Sequence, residues 1–187
     1  MVSDLTKIIS KVQKGDESAA ERLLPIVYDE LRRLATHRLA QELPGQTLQA
    51  TALVHEVFLR LTGGGNKSEW KGRSHFFAAA AESMRRILVE AARRKSRLKH
   101  GGGRARAEFD QIQVEAPLKS DEVLAVNDAL ERLESINPDA ARLTKLRYFA
   151  GYTIREAAEL LEMSPRKANQ VWAYARAWLL SEISDDE

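Results

Sequence analysis

Apolar residues recur along this chain almost everywhere with the period of an α-helix. Leu5, Ile8, Ile9 and Val12 fall at i, i+3, i+4 and i+7, predicting a first helix that Gly15 ends and after which Asp16 caps the next. Ala20, Leu23, Leu24, Val27, Leu31 and Leu34 continue a helical stripe, with Pro25 placed to kink its early turns. Pro44-Gly45 reads as a turn. Leu53, Val54, Val57, Phe58 and Leu61 mark a third helix, stopped at Gly63-Gly64-Gly65. A loop carrying Trp70 leads to about Ser74, and a long helix follows from His75 to about Lys95. On it Phe77, Ala80, Ala81, Met84, Leu88 and Ala91 share one face, which is core. Gly101-Gly102-Gly103 then opens a polar, acidic stretch to about Ser120 containing Pro117. Ile112 and Val114 alternate with polar neighbours there, but one short alternation makes no sheet.

Helical periodicity resumes with Val123, Val126, Leu130 and Leu133. Asn137-Pro138 starts another helix through Leu143, Leu146 and Phe149, and Gly151 interrupts it. Thr153 and Glu156 have capping-box spacing, so each side chain satisfies a backbone N–H of the other's turn. Ala157, Ala158, Leu160 and Leu161 supply packing, a short turn passes Glu162-Met163, and Ser164-Pro165 opens the last helix. Its apolar residues are Ala168, Val171, Trp172, Ala175 and Leu179. The fold expected is all-α: small helical domains over 1–98 and 122–187, joined by a flexible linker over 99–121. The second contains a helix-turn-helix. Such a pair places the N-terminus of its second helix in the major groove, where Arg166, Lys167, Asn169 and Gln170 stand off the apolar stripe. A plain helical hairpin with solvated polar residues is the alternative.

Charge changes the picture more than composition does. The 187 residues contain no Cys, which excludes disulfide scaffolds, thiolate metal sites and thiol catalysis. No apolar run approaches the roughly 20 residues needed to span a bilayer, and Met1 to Ser10 lack a signal-peptide pattern, so a cytoplasmic location is expected. The formal net charge is only +2, yet it sits in blocks. Residues 85–106 carry a net of +8, with Glu90 their single acid; residues 107–134 carry −6, and residues 142–178 carry +4. Two basic blocks parted by an acidic one predict two contacts with a polyanion.

The first basic block lies on the long helix. Arg86, Arg93 and Arg97 project from one side, opposite the core face, and Arg85 and Arg94 flank the stripe. An arginine row suits a phosphate backbone, each contact releasing about 0.9 of a counterion on duplex DNA. Trp70, Phe76 and Phe77 precede it; exposed aromatics there would stack unpaired bases, whereas each ring taken singly reads as core, Phe77 most clearly. Other chemistry is missing its parts. His55-Glu56 has Leu59 where a zinc-protease helix needs its second His, and Asn66 stands where the phosphate loop ending at Lys67-Ser68 needs Gly. The four histidines are scattered, and the carboxylate pairs read as surface charge. No catalytic residue, metal site, cofactor or small-molecule substrate is therefore expected.

Four stretches, in order, resemble the bacterial extracytoplasmic-function (ECF) sigma factors, two-domain subunits that direct RNA polymerase to promoters. Thr51 to Leu61 (TALVHEVFLRL) is similar to their polymerase-clamp helix, Trp70 to Phe77 (WKGRSHFF) to the segment that helps melt the minus-ten element, and Met84 to Lys95 (MRRILVEAARRK) to the helix that reads it. Leu146 to Thr153, with the helices through Leu179, is similar to the domain that holds the minus-thirty-five element. The resemblance implies that His55, Glu56, Phe58, Leu59 and Arg60 bind core RNA polymerase. It implies that Trp70, Arg73, Ser74, His75, Phe76, Arg85, Arg86, Arg93 and Arg94 meet promoter DNA at the minus-ten element, and Arg166, Lys167, Asn169 and Gln170 upstream. Many relatives are held by an anti-sigma factor, and no residue here identifies such a partner. The chain departs from the family's pattern at Glu162, where Gly is usual, and at Asn169, Gln170 and Val171, where basic residues are usual. A stand-alone, dimeric helix-turn-helix regulator is the second reading; it accounts for residues 137–180 and leaves the basic helix unexplained.

Overall fold

A computed structural model describes residues 2–39, 50–63, 70–98 and 120–185 of the chain. Among these every regular element is helical: α1 (Val2–Gln13), α2 (Glu17–Leu39), α3 (Ala50–Thr62), α4 (Arg73–Leu98), α5 (Ser120–Ile136), α6 (Pro138–Thr144), a π turn (Lys145–Phe149), α7 (Ile154–Leu160) and α8 (Pro165–Asp185). The Pro44-Gly45 turn, the glycines at 64 and 65, the Ile112/Val114 alternation and nearly all of the expected linker lie outside the described residues. Its expected end at 121 already belongs to α5, while its expected start coincides with the end of α4.

Local chemistry sets most of the ends. Gly15 takes φ 83° after α1, and the Asp16 carboxylate accepts from the Ala19 N–H at 3.0 Å to start α2. Helix α2 runs on through Pro25. The Asn137 side chain accepts from the Ala140 N–H at 3.1 Å with Pro138 behind it, and both halves of the Thr153–Glu156 capping box form. The long helix is longer than its apolar stripe implied, beginning at Arg73 and ending at Leu98.

The π turn is the element that periodicity could not show. Leu143, Leu146 and Phe149 are spaced three apart, as in an ordinary helix, yet the Ala150 N–H reaches the Lys145 carbonyl at 3.3 Å. The widened turn sends Leu146 into one apolar cluster and Phe149 into another. Gly151, with φ 76°, then reverses the chain.

Two apolar cores result, and both are built from the two sides of the 99–119 segment. In the larger one Ile9, Leu23, Leu31, Leu53, Phe77 and Met84 pack with Leu143, Leu146, Tyr152 and Ala157. In the other, Leu88, Val89 and Ala92 of α4 pack with Val126, Leu130, Leu133, Phe149 and Leu179. Apolar area on α4 is thus covered on one side by α1 and α3 and on another by α5 and the π turn.

Candidate nucleic-acid interface

Helix α4 carries the cations that sequence singles out, and tertiary packing divides them. Arg86, Arg93 and Arg94 are exposed. Arg86 donates from Nε to Glu82 at 3.1 Å while its side chain stays 60% exposed, so its head remains within reach of solvent and ligand. Arg85 is different. It donates to both Glu82 oxygens (Nε 3.1 Å, Nη2 2.8 Å) and to the Asn127 side chain of α5, and its side chain is only 13% exposed. In this arrangement Arg85 faces the C-terminal helices, where the sequence has it meeting DNA. Burial raises the Glu82 carboxyl, but the Arg85 hydrogen bonds and the charges of Lys145 and Arg85 outweigh it, holding the group below the usual carboxylate range.

The aromatic cluster ahead of α4 takes the core alternative. Trp70 and Phe76 are buried, at 5% and 0% exposure, and so present no stacking platform in this conformation. Trp70 meets Phe76 edge-on at 5.3 Å between ring centres, and Phe76 meets Phe77 the same way at 5.3 Å. The physical reason is plain: three large rings within eight residues bury more apolar area together than a loop offers each alone. Arg73 covers the cluster, its guanidinium 5.1 Å from the Phe77 ring centre, and pairs with Glu30 of α2. Ser74 is half-buried and His75 exposed, its Nδ1 accepting from the Lys71 N–H at 3.3 Å.

On α3 the core side is Leu53, Val54, Val57 and Leu61, which leaves His55 and Leu59 outward; Leu59 is 63% exposed, conspicuous for a leucine. Glu56 and Phe58 are half-buried. Arg60 is engaged: it donates two hydrogen bonds to Glu90 of α4, at 3.0 and 2.8 Å, and one to Glu56 at 2.8 Å. The Glu90 bonds, set against some desolvation, raise the Arg60 pKa, and Arg60 in turn lowers that of Glu90. Arg60 therefore neutralises the one acid of the basic block and fixes α3 against α4.

At the other end, α7 and α8 are joined through Glu162, which adopts φ 54° in the place where a glycine would be unstrained. Ser164 accepts from the Lys167 N–H at 3.2 Å and so caps α8. Arg166, Lys167, Asn169 and Gln170 are all exposed on its first turns. Lys167 reaches Asp139 of α6 at 3.1 Å, and the Asn169 amide donates to the Pro165 carbonyl at 2.8 Å.

Sequence reasoning passed over five residues that the fold makes central: Glu82, Asn127, Glu131, Glu134 and Lys145. Each reads locally as helix-surface polarity; only the packing of α4 on α5 and the π turn brings them together.

The chain is thus an all-helical protein with cations ranged along one long helix and at the start of its last one, and no described helix is long and apolar enough to cross a membrane. The profile described as ECF sigma factor matches residues 2–185, and the chain belongs to the ECF sigma factor family. Its class is accordingly that of transcription initiation factors working with RNA polymerase. A comparison with curated proteins gives no match.

Proposed function

We propose that this chain binds core RNA polymerase and directs it to specific promoters. The observation that carries this is a division of faces on α4: apolar residues buried on both flanks, with Arg86, Arg93 and Arg94 left in solvent beside Glu90 neutralised by Arg60. Combined with membership of the family over residues 2–185, that face is the one to follow promoter DNA. His55 and Leu59 are the outward residues of α3 and contact the polymerase; Arg60 acts by holding α3 in register with α4. Arg166 and Gln170, with Lys167 and Asn169 beside them, read the upstream element. Arg73, Ser74 and His75 meet the opened strand. Trp70 and Phe76 shape the loop that carries them, instead of stacking on bases. Residues 1–98 and 122–187 serve as the two working domains, one for each promoter element. The protein makes and breaks no bond; nucleotide chemistry belongs to the polymerase.

The test is reconstituted initiation. Purified chain with core polymerase and a promoter library yields specific transcripts, and the double variant Arg86→Ala/Arg93→Ala loses promoter opening while retaining core binding. Its log–log salt dependence of promoter binding falls by about 2, about one per arginine. Absence of both initiation and core binding overturns this function, and tight sequence-specific duplex binding without polymerase favours the stand-alone regulator.

A further inference from the structure

Helix α1 carries a further row of cations, which no charge block in the sequence marks, because residues 1–22 hold four basic and four acidic groups. Folding separates the two signs. Lys7 and Lys11 stand one turn apart on α1, and Lys14 follows in the turn that Gly15 closes, its N–H held on the Lys11 carbonyl at 3.0 Å. All three are exposed, since Ile8, Ile9 and Val12 turn the rest of the helix into the core. Arg22 of α2 joins them along an open groove of about 500 Å³, in which Asp4 is the one carboxylate among the described lining residues. Asp4 lies 4.0 Å from Lys7 with both side chains 75% exposed, so the pair is weak and yields to another anion. Asp16 is engaged elsewhere, capping α2 at the Ala19 N–H, and Glu17 stands in the first turn of that helix. The groove also adjoins the loop ahead of α4. Thr6, which lines it, is the residue against which Gly72 lies: a Cβ built on Gly72 would stand 3.6 Å from the Thr6 Oγ1. Arg73, Ser74 and His75 follow Gly72 directly.

We propose that the α1–α2 groove is a track for the phosphate backbone of single-stranded DNA, continuing the path of the strand that Arg73, Ser74 and His75 receive. Three features support it. From Lys7 to Lys14 is about 10 Å along the helix axis, the length of about three stacked nucleotides of one strand, so each amine has a phosphate to meet. Lysine suits this use, being a compact charge on a flexible stem that follows a backbone without demanding one geometry. Among the described lining residues none is aromatic, so the groove grips the backbone and reads no base. The place of this track beside a promoter rests on the function proposed above, whereas its affinity for a single strand does not.

The experiment compares the whole chain with Lys7→Gln/Lys11→Gln/Lys14→Gln and with Lys7→Arg/Lys11→Arg/Lys14→Arg. Without polymerase, binding of an oligodeoxythymidine is titrated against salt. Three lost contacts lower the log–log slope by about 2, so from about 50 to 200 mM salt the wild type loses about twentyfold more affinity than the Gln variant. The Arg variant keeps the wild-type slope. With core polymerase, the Gln variant binds core like the wild type and shows the same drop in slope on a promoter whose minus-ten region is already unpaired. An unchanged oligonucleotide slope in the Gln variant, at wild-type helicity, overturns the track. So does an equal drop in the Arg variant, the result expected if the lysines act through their shape and not their charge. Loss of core binding by the Gln variant assigns the groove to the polymerase and likewise overturns the proposal. Should the triple variant lose helicity, Lys11→Gln replaces it with a slope lowered by about 0.7, and an unchanged slope then overturns the track. Failure of the wild type to initiate, with the oligonucleotide slopes as expected, counts against the polymerase function alone.

Discussion

Gly151 offers the cleanest quantitative test of how the C-terminal helices are seated. It is buried, has φ 76°, and follows the π turn. A Cβ built there would stand 2.9 Å from His37 Cδ2 of α2 and 3.5 Å from the Leu34 carbonyl oxygen. Gly151→Ala therefore introduces two costs. The left-handed backbone costs an L-residue about 1–2 kcal/mol. The His37 contact costs far less, because His37 is exposed and its ring swings aside, whereas the Leu34 oxygen is at ordinary contact distance. The expected loss is thus about 1–2 kcal/mol, and with a urea slope of about 2 kcal/mol/M the midpoint falls by about 0.5–1 M. Helicity followed through urea unfolding reads it. The same substitution made on a His37→Ala background must cost nearly as much, since backbone strain is untouched by removing the ring. A loss below about 0.3 kcal/mol, too small for a left-handed alanine, would refute the backbone assignment. Full rescue by His37→Ala would show instead that the clash, and not the dihedral, dominates.

Glu162 is the mirror case. Glu162→Gly removes a left-handed strain of about 1–2 kcal/mol and adds an unfolded-state entropy cost of about 0.5–1, so the urea midpoint should rise slightly; a clear fall would show that φ 54° is not strained. The Glu82 carboxyl supplies a pH test. Its folded pKa lies below its ordinary value, so its contribution is fully present above about pH 4.3 and is lost as pH falls through the folded value. Glu82→Gln should therefore lower the urea midpoint at neutral pH, with the gap to wild type closing as pH falls through the folded value; a gap independent of pH would mean that the carboxylate charge contributes nothing.

The helices were legible because their determinants are local. A stripe of Leu53, Val54, Val57 and Leu61 fixes which side of α3 is buried, and Asp16, Asn137, Thr153 and Ser164 mark helix starts because a short polar side chain satisfies an orphan N–H wherever it stands. The arginine row on α4 was legible for the same reason: a period of 3.6 residues fixes angular position on a helix without reference to neighbours. Trp70 and Phe76 were open to two readings, core or stacking platform, because their fate depends on one another and on Phe77, a cooperative burial that composition does not reveal.

Sequence alone thus determined that the chain is helical, where its positive charge is concentrated and which family pattern it follows. Only the tertiary structure decided which of those charges are spent internally. Arg85 and Arg86 are adjacent and chemically identical, yet a rotation of about 100° on α4 turns Arg85 to Glu82, Asn127 and Glu131 and leaves Arg86 outward. Arg60 and Lys145 are likewise claimed by Glu90, Glu82 and Glu134, partners 11 to 63 residues away in the chain. Charge pairing acts through space over a few ångströms, and the distance that matters is set by packing of the apolar faces, which no local pattern encodes.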